Sequence, residues 1–222
     1  MNGPTQRADS LLLFDLDGTL YRSESSFVPT MRSVYAEYGL PYPSDRAILG
    51  QVGEPFPVFL DWLVGQGFSS HREALARRIA ELELASIPER GALFPGVRET
   101  LSLLRRGGYD IGLCTNGDRR YANTVLTTCG ILDMFDALQT NDAEGTTKTE
   151  LVRDLLQRVP HGRAFMIGDR YHDVLAGREN GCTVIAAAYG YGTEEELVDA
   201  DRRISAFSEL PTVLERIAAP PR

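Results

Sequence analysis

The sequence predicts an α/β protein, a doubly wound parallel sheet carrying an inserted all-helical domain. Three observations predict it. A short apolar run at residues 11–14 stands near the N-terminus and ends in Asp15 and Asp17. From residue 93 onward, apolar runs of strand length alternate with stretches of helical periodicity, as a parallel sheet with crossover helices requires. Between these parts, from Tyr21 to Ala92, nothing alternates like a strand.

The elements follow in order. Residues 11–14 read Leu-Leu-Leu-Phe, the pattern of a strand buried on both faces. Pro29 suits a first helical turn, with Met31, Val34, Tyr35 and Tyr38 at helical spacing and Gly39 as a stop. Residues 40–43 break the chain, and Ser44 or Asp45 caps a short helix to Leu49. Gly50, Gly53, Pro55 and Pro57 mark a loop that runs into a helix with Phe59, Leu60, Trp62 and Leu63. Ser69 and Ser70 then open a long amphipathic helix through Leu75, Ile79, Leu82 and Ile87. This helical insert, about 70 residues, is far above ordinary loop length.

The texture changes at residues 93–96. Val97, Leu101 and Leu104 make a helical stripe that stops at Gly107 and Gly108. Strands are expected at 109–114, 135–138, 164–167 and 183–187, with a last short one at Ile204. Helices are expected at 121–129, at 148–159, after Asp169 to Asn180, and at 207–217, with Pro220 and Pro221 in a frayed end. Residues 1–21 and 93–222 then form the core domain, and 22–92 a helical cap, joined through 21–25 and 87–94.

Composition narrows the function. The chain has 222 residues, 43% of them hydrophobic, and a formal net charge of −8. That charge argues against nucleic-acid polymers and anionic membranes as partners. No apolar segment is long enough to span a bilayer, and the polar start does not resemble a signal peptide. Cys114, Cys129 and Cys182 are isolated and show no metal-type spacing, so a reduced, cytoplasmic setting is expected. A monomer or homodimer is expected.

Carboxylates two apart on extended chain face the same way, and ligands of open α/β sheets bind at the carboxyl ends of strands. Asp15 and Asp17 stand where the first strand should end, followed by Gly18 and Thr19, which suit a tight turn. Three further pieces occupy comparable places: Thr115-Asn116, Lys148, and Asp169 with Asp173. Each alone also fits a plainer reading. Thr115-Asn116-Gly117 makes an ordinary turn, Lys148 a solvated helix-start lysine, and Asp169 and Asp173 a helix cap and a first-turn acid.

Taken in this order, the four pieces resemble the haloacid dehalogenase superfamily, with residues 15–20 as its first motif in the phosphatase form. Gly168-Asp169-Arg170-x-x-Asp173 and Gly190-Tyr191-Gly192 resemble the phosphoglycolate phosphatase-like branch. The resemblance implies a Rossmann-like core and a magnesium-dependent phosphomonoesterase acting on a small phosphorylated metabolite of the phosphoglycolate type. By the resemblance, Asp15 is the nucleophile that forms an aspartyl phosphate and Asp17 the general acid and base. Thr115 and the Asn116 backbone N–H hold phosphate oxygens, and Lys148 neutralises charge. Asp15, the Asp17 carbonyl and Asp169 hold Mg2+, with Asp173 behind them. A nucleotidase, a β-phosphoglucomutase-like phosphomutase and a non-catalytic binding protein on the same fold are the alternatives.

Other residues receive modest expectations. Arg170 stays open between ligand and neighbouring acids, His172 reads as a solvated first-turn residue, and Glu54 and Arg46 read as surface charge. Cys114 should point into the core, and residues 190–192 form a rim.

Overall fold

The computed structural model describes residues 9–68, 71–143 and 145–218. Strands β1 (Ser10–Phe14), β2 (Asp110–Cys114), β3 (Ala137–Gln139), β4 (Arg163–Gly168), β5 (Thr183–Ala187) and β6 (Arg202–Ile204) form one parallel sheet. Their order is β3-β2-β1-β4-β5-β6, the doubly wound Rossmann-like arrangement predicted from the sequence. The chain leaves β1 toward β2 and β3, then returns to the other side of β1 as β4. The order therefore reverses between β1 and β4, and a crevice opens beyond their carboxyl ends.

Strand β1 is buried along its whole length because helices cover both faces of the sheet. Leu12 and Phe14 face Val97, Leu101 and Leu104 of α5 (Val97–Arg106), Val125 and Leu126 of α6 (Arg119–Thr128), and Leu210 and Leu214 of α9 (Leu210–Ala218). Leu11 and Leu13 face the opposite layer, with Leu151, Val152 and Leu155 of α7 (Lys148–Arg158) and Ala176 of α8 (Tyr171–Glu179). Cys114 lies in this second layer, as expected. Each fully buried Leu in these layers contributes about 1.5–3 kcal/mol of transfer free energy.

Between β1 and β2 the chain forms α1 (Glu24–Glu37), α2 (Asp45–Leu49), α3 (Phe56–Gly65) and α4 (Arg72–Arg90) before α5. These four helices share an apolar cluster of their own, which includes Met31, Val34, Ile48, Leu63, Leu75 and Ile79. Tyr191, from the loop after β5, packs against it. No described helix is long and apolar enough to cross a membrane.

Several boundaries differ from expectation. Helix α1 starts at Glu24, so Pro29 is inside it, where it has no N–H to give the Ser25 carbonyl. Burial of Phe27, Met31, Val34 and Tyr35 outweighs that local cost. Helix α4 begins at Arg72 with His71 in the cap position, while Ser69 and Ser70 lie outside the described residues. Strand β3 starts at Ala137, two residues later than predicted. The last helix is preceded by a 3-10 turn at Phe207–Glu209. Pro220 and Pro221 also lie outside the described residues.

Candidate active site

Asp15 follows β1 directly, and its N–H still donates to Ile167 O of β4 at 2.9 Å. The sheet thus fixes its backbone while its side chain, only 5% exposed, enters the crevice. The chain then turns tightly, with Leu20 N and Tyr21 N both donating to Leu16 O. Gly18 sits at φ +81°, and a Cβ there would lie 2.2 Å from Asp169 Oδ2. The turn therefore needs glycine for its dihedral and for the approach of Asp169.

Asp17 is half-buried, and its Oδ1 accepts hydrogen bonds from Ser23 Oγ and Tyr121 OH, each at 2.5 Å. Burial raises its pKa, and these two hydrogen bonds with the Lys148 charge pull it back. Burial also holds the Tyr121 phenol far above its usual value, so it stays protonated and donates.

Lys148 opens α7 behind a Thr147–Glu150 capping box and is almost fully buried. Its Nζ lies 2.5 Å from Asp15 Oδ1 and 3.0 Å from Asp173 Oδ1. Desolvation works against its charge, but Asp15 and Asp173 win and hold the ammonium well above its ordinary value. Asp173, in the first turn of α8, accepts from Arg170 N through its other oxygen.

Asp169 follows β4 and is fully buried. It accepts from Thr19 Oγ1 at 3.3 Å and from Tyr191 N at 2.7 Å. A Cβ on Gly190 would sit 2.3 Å from Asp169 Cβ. The loop at 190–192, expected as a rim, is thus part of the cradle that fixes this carboxylate. Burial, then the neighbouring Asp173, pushes Asp169 up to about 7. Asp15 is likewise raised by burial, against the pull of Lys148.

One carboxylate oxygen each from Asp15, Asp169 and Asp173 lie within 4.8 Å of one another. Lys148 supplies one positive charge against these three acids. The donor set is all oxygen and strongly anionic, which fits a hard divalent cation such as magnesium. The Asp17 side chain is engaged by Ser23 and Tyr121 and stands outside this cluster.

Thr115 ends β2, with its N–H on Gln139 O at 3.0 Å. Its hydroxyl accepts from Gly117 N, so the loop is wound ahead of α6, where Asp118 caps Tyr121 N. Asn116 Nδ2 donates to Gly53 O at 2.9 Å, which ties this loop to the helical segment.

A cavity of about 260 Å³ joins these parts. Asp15, Asp17, Thr115 and Asn116 line it together with Phe27, Phe56, Phe59, Ile79, Glu83 and Leu84. Lys148, Asp169 and Asp173 stand behind Asp15. Burial, with Asp17 and Asp118 nearby, pushes the Glu83 carboxyl up to about 8.

The acids and bases around Gly53 correct the expectations for His172 and Glu54 and answer the open one for Arg170. Arg170 binds Glu196 at 3.0 Å, Glu54 at 3.0 Å and the Val52 carbonyl. His172 Nε2 lies 3.1 Å from Glu54 Oε2, so it is not merely solvated. Glu54 is therefore no surface charge; it latches the 50–55 loop to α8, while Arg46 remains exposed. Sequence reasoning also missed Ser23, Tyr121 and Glu83. Only Glu83 left a signal, as the one acid in the series Leu75, Ile79, Glu83, Ile87 at four-residue spacing.

Comparison with known proteins bears on this arrangement. Residues 12–187 match the family model of haloacid dehalogenase-like hydrolases. The phosphoglycolate phosphatase of Caulobacter vibrioides is 30% identical, covering 99% of this chain and 96% of its own length. That of Haemophilus influenzae (strain Rd) is 27% identical over 82% of this chain and 86% of its own. Among solved structures, a haloacid dehalogenase-like hydrolase from Streptococcus pneumoniae superimposes with a TM-score of 0.82 at 24% identity, covering 93% of this chain and 99% of its own. At that identity the last likeness concerns the fold alone.

Proposed function

This chain belongs to the haloacid dehalogenase-like hydrolase family, and on that footing we propose that it is a magnesium-dependent phosphomonoesterase working through a phosphorylated Asp15. The observation that carries the reading is the pairing of Asp15 with Lys148 at 2.5 Å, on the floor of a cavity that also holds Asp17. Phosphoryl transfer needs an in-line nucleophile, charge neutralisation and a proton donor, and these residues supply all three.

In this mechanism Asp15 attacks phosphorus, and the ester oxygen leaves with a proton from Asp17. The raised pKa of Asp17 keeps that proton available, while Ser23 and Tyr121 hold the carboxyl in one place. Asp17 then takes a proton from water, which attacks the phosphoaspartate and regenerates Asp15. The Thr115 hydroxyl and the Asn116 N–H donate to phosphate oxygens ahead of α6. Lys148 offsets the charge on Asp15. Magnesium bound by Asp15, Asp169, Asp173 and the Asp17 carbonyl would supply the remaining neutralisation of phosphate and carboxylates.

Residues 22–92 act as a cap over a core of 1–21 and 93–222. Three features support this: the separate apolar cluster of α1–α4, the pairing of Tyr21 with Leu93 where the segment begins and ends, and the Gly53 latch. A closed cap excludes water from the first step and reopens for the second. Three free, buried cysteines support a reducing cytoplasmic setting.

The test is phosphate release from phosphoglycolate, nucleoside monophosphates and hexose phosphates, with magnesium and with chelator, beside Asp15→Asn. Release that needs magnesium and disappears in the variant supports the reading. Equal release by Asp15→Asn would overturn it, and phosphate moved between sugar positions would replace hydrolase with mutase. The curated relatives' name makes phosphoglycolate the reference substrate of that panel.

A further inference from the structure

The part of the cavity around Glu83 has an unusual charge. Among the described residues, the lining includes five carboxylates, Asp15, Asp17, Glu54, Glu83 and Asp118, and no lysine, arginine or histidine. The nearby lysine and arginine are already committed. Lys148 pairs with Asp15 and Asp173, and Arg170 pairs with Glu54, whose other oxygen meets His172 Nε2. Glu83 makes no hydrogen bond or ion pair with any described residue. It lines the cavity from α4 with Ile79, Ala80 and Leu84, and Phe27, Phe56 and Phe59 line the same cavity.

We propose that this part of the site selects a phosphomonoester whose alcohol is non-anionic, has an apolar face for the three phenylalanines, and carries a hydrogen-bond donor for Glu83. The donor is an amine or a hydroxyl. This rests on the phosphomonoesterase reading above and narrows its substrate class.

The physical argument is one of unpaired charge. A carboxyl held off from water resists ionisation until a cation or donor meets it, and a second carboxylate brought against it adds repulsion. Glycolate, as a leaving group, would bring its carboxylate into a space lined by Glu83 and Asp118 with no free cation among the described residues to meet it. An ammonium gains from Glu83 and from the aromatic faces together. A hydroxyl gains the hydrogen bond alone. Burial, with Asp17 and Asp118 nearby, raises the Glu83 pKa, and an ammonium or hydroxyl donor set against it would favour its charged form. The apolar line Leu75, Ile79, Ile87 on the same helix makes an acid there costly unless something pairs with it.

The test compares kcat/KM for three phosphomonoesters of similar size: 2-aminoethyl phosphate, 2-hydroxyethyl phosphate and 2-phosphoglycolate. Wild type should favour either donor-bearing ester over phosphoglycolate by at least about tenfold. Glu83→Lys should reverse that order, and Glu83→Gln should narrow the amine's advantage over the hydroxyl. Ratios taken within one variant do not depend on how much of it folds. Phosphoglycolate as the best of the three in wild type, or ratios unchanged in both variants, would overturn the inference while leaving the phosphomonoesterase reading intact. Absence of magnesium-dependent release from all three esters and from the hexose and nucleoside phosphates would overturn both.

Discussion

Tyr121→Phe isolates one hydrogen bond. The ring and its packing remain, and only the hydroxyl that donates to Asp17 Oδ1 at 2.5 Å is lost. A hydrogen bond to a charged group is worth roughly 1.5–3 kcal/mol. Ser23 still holds the same oxygen, so the lower figure applies. About 1.5 kcal/mol corresponds to about tenfold in rate. The bond favours ionised Asp17, so its loss raises a pKa that burial has already raised. The expected result is a kcat about tenfold lower, with KM little changed and the pH–rate profile moved to the alkaline side. The assay is steady-state phosphate release from pH 5 to 9, beside a thermal melt. A rate within twofold of wild type and an unmoved profile would refute the assignment of Asp17 as the acid and base that Tyr121 positions.

Other perturbations test the metal cluster and the latch. Gly18→Ala places a methyl 2.2 Å from Asp169 Oδ2 at a dihedral that favours glycine; magnesium affinity by calorimetry should fall at least about tenfold, the loss expected when a ligating carboxylate is pushed out of place. In the metal-free protein, Asp169 binds its proton more tightly folded than unfolded, with a pKa near 7 against the ordinary 3.8. The sign follows: this group favours the folded state below pH 3.8 and loses that contribution as pH rises through about 7, so metal-free melting temperature should fall across that interval and magnesium should restore most at the alkaline end. Arg170→Met leaves Glu54 and Glu196 without their cation and frees the Val52 carbonyl. Breaking such a buried pair costs about 3 kcal/mol or more, so a drop of several degrees in melting temperature and a higher KM are expected; an unchanged melt would show that the latch does not hold the cap.

The elements most legible in the sequence were those whose burial is uniform. Residues 11–14 could be read as a strand because both faces of β1 are covered, so no polar residue interrupts them. The start of α1 was misread because Pro29 carries a strong local preference for a first turn, whereas tertiary burial of Phe27 and Met31 decided the outcome. The acids and the lysine of the site stood out only as a set. Asp15 and Lys148 are separated by 133 residues, and spacing alone cannot join them. The Asp17–Tyr121 bond, between residues 104 apart, has no local signature at all. Glu83 was visible as an acid on an apolar stripe, but its meaning needed the phenylalanines of the same cavity, which come from α1 and α3. The engagement of Glu54 by Arg170 and His172 likewise depended on how the 50–55 loop meets α8.

The central claim is that Asp15 carries the phosphoryl group. An acyl phosphate is reduced by borohydride to an alcohol, so enzyme quenched in acid during turnover and then reduced should carry homoserine in place of Asp15. Peptide mass spectrometry reads the position directly. The account predicts modification at Asp15 alone, appearing only with substrate and magnesium. Modification at another carboxylate, or sustained turnover with Asp15 unmodified and Asp15→Asn fully active, would contradict it.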